Sequence, residues 1–185
     1  MKKIRQNRKV TTFTFPCFTQ DQVKEINKKI KENILQVQDP ADTAINASKK
    51  GDFFNVPCAP LMGLIHPFIY QCQAQNRFLY GYDIYWDFHL DILNYNVYKP
   101  SGEYGWHIDA NDENISLDRK LTCLLNLSEE SYEGGEFKLT GVDEKIKFDS
   151  GMGLICTSLI AHKVTPITKG ERITLTYWAV GPNWR

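Results

Sequence analysis

The sequence has no net charge and no long apolar run. Lysine plus arginine and aspartate plus glutamate both total 22 in 185 residues, so the overall charge does not point to nucleic acid or to an anionic membrane. No apolar stretch approaches the roughly 18 residues that a membrane span needs, and none follows the basic N-terminal segment. We therefore expect a cytoplasmic protein that has no membrane contact.

The cysteines lack the spacing of a disulfide framework or of a zinc ribbon. There are five, an odd number, and no Cys-x-x-Cys pair occurs, so we interpret them as reduced thiols. Internal repeats and low-complexity segments are also absent. A chain of 185 residues with 42% hydrophobic content can bury one good core, and residues 1–185 are therefore predicted to form a single domain.

Two helices are predicted in the N-terminal part of the chain. Thr19 and Gln22 form a capping-box signature, and apolar residues then recur at helical spacing, which predicts a helix over residues 20–36. A second helix is predicted over residues 61–77. Between them, residues 38–60 are rich in proline and small polar residues, which is typical of a long connection that covers a site.

The remainder of the chain, residues 80–180, has the composition of β-structure. Short stretches of β-branched and aromatic residues alternate with turn residues, which favours a double-stranded β-helix, a jelly roll of the cupin type, over an open parallel sheet. We predict a mainly β fold in which residues 10–79 add supporting helices and loops. The predicted strands are residues 81–87, 90–98, 104–109, 119–128, 135–140, 144–148, 152–157, 162–168 and 171–180.

A metal site is predicted from three separated residues. His107 and Asp109 lie two apart in the segment YGWHID, and the period of a strand turns both side chains to one face. His162, at the start of a late predicted strand, is the candidate third ligand. Two histidines and one carboxylate leave three coordination positions open, which is typical of non-haem iron(II) oxygenases.

A second pair, His89 and Asp91, has the same spacing. The context favours the pair at 107 and 109, which follows a Pro-Ser-Gly turn and lies among aromatic residues at a strand end. We interpret His89 and His66 as ordinary core or surface histidines.

A late strand carries an unusual polar face. Arg172, Thr174, Thr176 and Trp178 alternate with apolar residues and therefore share one side of the strand. A guanidinium matches a carboxylate through two hydrogen bonds, and a nearby hydroxyl adds another. This face is predicted to bind one end of a dicarboxylic acid; the alternative is a surface arginine on an edge strand.

Together, the segments NVYKPSGEYGWHID, LTCLLNLSEESYEGGEFKL and GMGLICTSLIAHKVTPITKGERITLTYW resemble the prolyl-hydroxylase branch of the 2-oxoglutarate- and iron(II)-dependent dioxygenases. The last two are similar to the bacterial and phage enzymes of the PKHD type. The resemblance implies that His107, Asp109 and His162 bind iron(II). It also implies that Arg172 binds the C5 carboxylate of 2-oxoglutarate.

The same resemblance implies further site residues. Thr176 matches the hydroxyl that accompanies the arginine, and Tyr98 matches a tyrosine that contacts the co-substrate. Asn126 takes the place of a second expected tyrosine, where its amide could donate a hydrogen bond. Tyr104 and Trp106 either orient the substrate or simply fill the mouth of the barrel. Gly134 and Gly135 are interpreted as turn residues without a chemical role.

The activity that the resemblance implies is hydroxylation of an unactivated C–H bond, most closely that of a prolyl residue in a peptide or protein. Its cofactors are iron(II), 2-oxoglutarate and dioxygen, with ascorbate as an additional candidate, and its products include succinate and carbon dioxide. The acidic, polar loop 110–118 favours a basic peptide over a phosphate backbone.

Two alternatives remain open. An AlkB-like nucleic-acid demethylase would share the iron ligands, but that branch has a second arginine where this chain has Trp178. Nucleic acid is therefore not an expected partner. The other alternative is a non-catalytic jelly-roll binding protein. The sequence does not fix the oligomeric state.

Overall fold

The computed structural model describes residues 12–37, 49–110 and 118–184, and it confirms the mainly β fold with N-terminal helices. The strands are β1 (Thr12–Pro16), β2 (Gln36–Val37), β3 (Lys49–Lys50), β4 (Asp52–Pro57), β5 (Ile92–Tyr98), β6 (Glu103–His107), β7 (Arg119–Asn126), β8 (Glu133–Gly134), β9 (Phe137–Leu139), β10 (Met152–Thr157), β11 (His162–Val164), β12 (Ile167–Lys169) and β13 (Arg172–Val180). The helices are α1 (Gln20–Lys31) and α2 (Met62–Gln75).

Two antiparallel sheets enclose the candidate site. The larger has the strand order β1-β10-β7-β13-β5-β4-β2, and the smaller has the order β3-β6-β11-β9. Strands β12 and β8 form a separate ladder beside them. An apolar cluster with residues from β7, β9, β10 and β11 lies between the two sheets, as expected for the jelly roll.

Both helices pack on the other face of the larger sheet. Apolar residues of α1 and α2 form one buried cluster with the odd-numbered residues of β7 and β13, among them Leu121, Leu125 and Leu175. Because strand side chains alternate between faces, the even-numbered residues of these strands point toward the smaller sheet. The helical core therefore determines which face of β13 lines the site.

Helix α1 begins as predicted and ends earlier. Thr19 caps it, with its side chain accepting from the Gln22 backbone amide while the Gln22 side chain accepts from the Thr19 backbone. The helix ends at Lys31 rather than at residue 36, because Gln36–Val37 pair with β4. Helix α2 continues through a π-helical turn at Asn76–Tyr80, beyond the predicted end.

The strand predictions are wrong in two segments. Residues 81–87 and 144–148 form no strand, although both segments contact neighbouring elements through their side chains. The Tyr82 hydroxyl donates to Thr157 Oγ1 at 3.0 Å, and the Lys145 ammonium pairs with Glu136 at 3.1 Å. The predicted strand 162–168 divides into β11 and β12, with Pro166, which has no backbone N–H, between them.

The N-terminal part also supplies strands that were not predicted. Strand β4 lies within the predicted loop 38–60 and pairs along its whole length with β5, from Asp52 opposite Val97 to Pro57 opposite Ile92. Strand β1 pairs with β10 at the opposite edge. Residues 38–48 of that loop lie outside the described residues.

No helix in the described part of the chain is long and apolar enough to span a membrane. The five cysteines are free thiols, and all except Cys17 are buried. This agrees with their interpretation as reduced residues.

Candidate metal centre

Strands β6 and β11 bring the predicted ligands together. His107 and His162 are direct register partners in the smaller sheet, and Asp109 follows two residues after the end of β6. The Nε2 atoms of His107 and His162 each lie 3.5 Å from a carboxylate oxygen of Asp109. All three ligand atoms fall within 4.8 Å of one another, and no other such group occurs among the described residues.

An irregularity in β6 shapes this site. Val164 pairs with Tyr104 while His162 pairs with His107, so β6 has one residue more than β11 over this stretch. The extra residue turns Tyr104 and His107 to the same side, where their rings stack with centroids 3.5 Å apart. Trp106 is turned away from the site.

Backbone carbonyls fix the orientation of both histidine rings. The Nδ1 atom of His107 lies 2.8 Å from the Gly105 carbonyl oxygen, and that of His162 lies 3.0 Å from the Ile160 carbonyl oxygen. Because a carbonyl only accepts, each Nδ1 carries the proton and each Nε2 presents its lone pair to the centre. Burial, assisted by the nearby His162, lowers the pKa of His107 to about 4, so its ring is neutral.

Two donors that were not predicted hold the carboxylate of Asp109. Its Oδ2 atom accepts a hydrogen bond from Thr122 Oγ1 at 2.5 Å and another from Trp178 Nε1 at 3.0 Å. Burial alone raises the pKa of Asp109, but His162, His107 and these two donors together hold it below its ordinary value. The site therefore favours the ionised form of the Asp109 carboxylate.

Arg172 is a buried cation with unused donors. Its side chain lines the same pocket as the three predicted ligands and is only 1% exposed. Its Nε and Nη2 atoms are buried and have no hydrogen-bond partner among the described residues. An unpaired buried guanidinium is costly, so the pocket is suited to an anion that accepts from it.

Two further predicted residues lie beside Arg172. Tyr98 is its register partner in β5 and is 3% exposed, and burial raises the pKa of its phenol well above the ordinary value. Thr176 lies four residues along the same strand face, and its Oγ1 accepts from Asn96 Nδ2 at 3.0 Å. The Thr176 hydroxyl proton can therefore be donated to a ligand.

Asn126 has a different role from the predicted one. Its Nδ2 atom donates to the Phe148 carbonyl at 2.7 Å and to the Tyr132 hydroxyl at 3.2 Å, and its Oδ1 accepts from the Ser128 amide. These contacts use its donors, and it does not line the pocket. Asn126 therefore joins two loops and has no amide donor left for a co-substrate.

Trp106 lies outside the pocket of the metal triad, so its predicted contact with the substrate stays a prediction. Trp106 is 52% exposed and does not line the pocket, and the Lys163 ammonium lies 4.9 Å from its ring centroid. Tyr104 does line the pocket. His89 is exposed in a short 3₁₀ turn and His66 is exposed on α2, so neither takes part in the site.

Gly135 has a positioning role that was not predicted. It has a φ of +60°, and a Cβ atom built on it would lie 2.8 Å from Arg172 Cδ and 2.3 Å from Ile167 Cδ1. The absent side chain therefore leaves the space that the Arg172 stem occupies. The Tyr-x-Gly-Gly-Glu turn was the only signal of this contact.

The chain is similar to known oxygenases over its β half. Residues 93–180 match the 2OG-Fe(II) oxygenase superfamily. A PKHD-type hydroxylase of Alteromonas mediterranea is 40% identical over an alignment of 93 residues, with 45% of this chain and 41% of that protein covered. A PKHD-type hydroxylase of a Janthinobacterium species is 35% identical over 92 residues, with the same coverage of both chains. The chain thus matches about two fifths of the length of these relatives.

Solved structures share the fold along almost the whole chain. A prolyl-4-hydroxylase of Pseudomonas putida has a TM-score of 0.70 and 15% identity, with 95% of each chain covered. The viral collagen prolyl hydroxylase of Paramecium bursaria Chlorella virus-1 has a TM-score of 0.70 and 17% identity, with 94% of this chain and 98% of that chain covered. At these identities the similarity concerns the fold alone.

Proposed function

We propose that this chain, whose residues 93–180 match the 2OG-Fe(II) oxygenase superfamily, is an oxygenase of that type and hydroxylates an unactivated C–H bond of a prolyl residue in a peptide or protein. Iron(II), 2-oxoglutarate and dioxygen are its proposed cofactors and co-substrates. The observation that carries this proposal is the buried side chain of Arg172 in the pocket of the metal triad, whose Nε and Nη2 atoms have no hydrogen-bond partner among the described residues.

The donor set of the triad suits iron(II). His107 and His162 would supply neutral Nε2 atoms, and Asp109 would supply one oxygen, which leaves the remaining positions to ligands that are not part of the protein. When bound, iron(II) would activate dioxygen, which oxidises 2-oxoglutarate to succinate and carbon dioxide and places its other oxygen atom in the substrate C–H bond. Thr122 and Trp178 keep Asp109 oriented toward the centre.

Arg172 provides the charge that a dicarboxylic co-substrate requires. Its unused Nε and Nη2 donors would bind the C5 carboxylate, and the Thr176 hydroxyl would add a further hydrogen bond. Tyr98 closes the wall beside the guanidinium. Burial of these groups excludes water, which strengthens each charged contact.

The prolyl substrate rests on weaker support. PKHD-type hydroxylases are the similar sequences, and prolyl hydroxylases are among the similar folds. Sequence analysis favoured a basic peptide because of the acidic loop 110–118, but residues 111–117 lie outside the described residues. That expectation stays a prediction.

The AlkB-like alternative has less support. The structure of OsALKBH1 shares the fold with a TM-score of 0.63 and 18% identity, which again concerns the fold alone. At the position of the second arginine stands Trp178, whose Nε1 is used to orient Asp109. No observation on the described residues favours a nucleic-acid substrate.

The experiment that tests the proposed function measures succinate formed from 2-oxoglutarate with iron(II), ascorbate and oxygen. We expect turnover, even without a prime substrate, that disappears in His107→Ala and needs much more 2-oxoglutarate in Arg172→Ala. His89→Ala is the matched control, since His89 has the same spacing to an aspartate but is exposed. If the wild type forms no succinate and binds neither iron(II) nor 2-oxoglutarate, the proposed function is wrong. The alternative of a non-catalytic jelly-roll binding protein would then remain.

A further inference from the structure

Lys49 extends into the pocket from the edge of the smaller sheet. It lies in β3 opposite Tyr104 and lines the same pocket as the metal triad. Its ammonium nitrogen lies 3.7 Å from the centroid of the Phe53 ring and 5.1 Å from that of Tyr104. Because Tyr104 stacks on His107, one aromatic ring separates this cation from a proposed iron ligand.

Lys49 has no acidic partner among the described residues. Other lysines form ion pairs, such as Lys99 with Asp52 at 2.8 Å, whereas Lys49 is held only against the faces of two aromatic rings. Its side chain is partly buried. Desolvation lowers the pKa of Lys49 to about 8, with Asp109 opposing this shift and Arg119 adding to it. Most molecules therefore carry the charge at neutral pH.

The proposed cofactors do not use this charge. The positive charges of iron(II) and Arg172 balance the negative charges of Asp109 and of the 2-oxoglutarate dianion. Among the described residues, no negative charge then remains to compensate Lys49 in the pocket of a loaded site. A second cation lies nearby, since the Arg119 guanidinium lies 3.7 Å above the Trp178 ring and donates to the Asp109 backbone carbonyl at 3.4 Å.

We propose that Lys49 binds a carboxylate of the substrate, close to the carbon that is hydroxylated. This inference rests on the proposed function and names the substrate class more closely. The carboxylate belongs either to an aspartate or glutamate near the hydroxylated residue or to the C-terminus of a short peptide. This contact is separate from the one expected between loop 110–118 and a basic peptide. The carboxylate would bind inside the pocket, whereas loop 110–118 was expected to act at its rim.

Lys50 is a natural control for this role. It is the adjacent residue in the same strand, but its side chain is 63% exposed and its ammonium pairs with Glu103 at 2.6 Å. Alternation of side chains places the two lysines on opposite faces of β3. Removing either ammonium lowers the net charge by the same amount. A difference in peptide binding between the Lys49 and Lys50 variants would therefore come from the position of the charge.

The experiment uses the full chain loaded with manganese(II) and 2-oxoglutarate, which binds without turnover. Proline-containing hexapeptides are titrated by calorimetry in matched pairs, with glutamate or glutamine at each position and with a free or amidated C-terminus. We expect one charged member to bind about tenfold more tightly than its neutral partner. Lys49→Met should reduce this ratio to about one, Lys49→Arg should restore part of it, and Lys50→Met should retain it.

The outcomes separate this inference from the proposed function. If wild type binds 2-oxoglutarate but binds charged and neutral peptides equally, the role of Lys49 is wrong and the proposed function stands. If it binds 2-oxoglutarate but no peptide, both the role of Lys49 and the peptide substrate are wrong, and only the binding of the co-substrate stands. If Lys49→Met still prefers the charged peptide over its neutral partner, the role of Lys49 is also wrong. Failure of wild type to bind 2-oxoglutarate overturns both. The peptide pair that shows the tenfold difference in affinity identifies the source of the carboxylate, either an acidic side chain or the C-terminus.

Discussion

Trp178 donates a hydrogen bond from Nε1 to Oδ2 of Asp109 across 3.0 Å. The two residues are 69 positions apart, yet one is the last polar member of the β13 face and the other is the carboxylate of the metal triad. The same Oδ2 atom also accepts from Thr122, so two donors on the larger sheet fix a ligand carried by the smaller one.

The first prediction follows from this bond. Trp178→Phe removes the donor while keeping an aromatic ring, and we expect the affinity for manganese(II) to fall about 10-fold to 100-fold. Fluorescence or calorimetric titration of the metal measures it. Trp106→Phe is the control, since that side chain is half exposed and outside the pocket. Equal affinities in both variants would show that Trp178 does not orient Asp109.

Thr122 should behave in the same way. Thr122→Val keeps the shape of the side chain but removes the 2.5 Å hydrogen bond to Asp109, so we expect about tenfold weaker binding of metal. Thr140→Val, at an exposed position, should leave the metal affinity at the wild-type value. Unchanged binding by Thr122→Val would mean that Trp178 alone is sufficient.

Gly135 allows a test of the space around Arg172. In Gly135→Ala the new Cβ would meet Arg172 Cδ at 2.8 Å, and displacement of the guanidinium should raise the KM for 2-oxoglutarate about tenfold with little change in metal affinity. Gly141→Ala is a matched control, because Gly141 has a φ of +77° and no neighbour within 4 Å of the added atom. The two variants share the backbone strain of a positive φ. If their KM values agree, packing against Arg172 has no part in binding.

Asn126 should act on stability rather than on co-substrate binding. Asn126→Leu leaves the Phe148 carbonyl and the Ser128 amide without their buried partner. We expect the free energy of unfolding to fall by about 2 to 4 kcal/mol, measured by urea denaturation, while the KM for 2-oxoglutarate changes little. A large rise in KM with unchanged stability would restore the role predicted from sequence.

Particular residues show how far sequence could predict this molecule. Arg172, Thr174, Thr176 and Trp178 share the inner face of β13 because a strand has a period of two, and that period is visible in the sequence. The same rule failed in β6, where one extra residue turns Tyr104 to the same side as His107. A β-bulge depends on the pairing of two strands and leaves no local pattern.

Long-range pairing explains the other differences. Strand β4 was predicted as loop because Gly51 and Pro57 enclose it, yet pairing with β5 makes it an inner member of the larger sheet. Thr122 and Trp178 lay in predicted strands, and only the folded arrangement shows that both contact Asp109. Lys49 gave no signal either, since its importance comes from the rings of Phe53 and Tyr104 that surround it.

The central claim is that the metal triad and Arg172 form one binding site for a metal and a dicarboxylic acid. Its most direct test is a calorimetric titration of 2-oxoglutarate into the manganese(II)-loaded protein, repeated without metal and with Arg172→Gln. We predict tight binding that weakens about 10-fold to 100-fold when either the metal or the guanidinium is removed. Binding that is equal in all three titrations, or absent from the loaded wild type, would contradict the account.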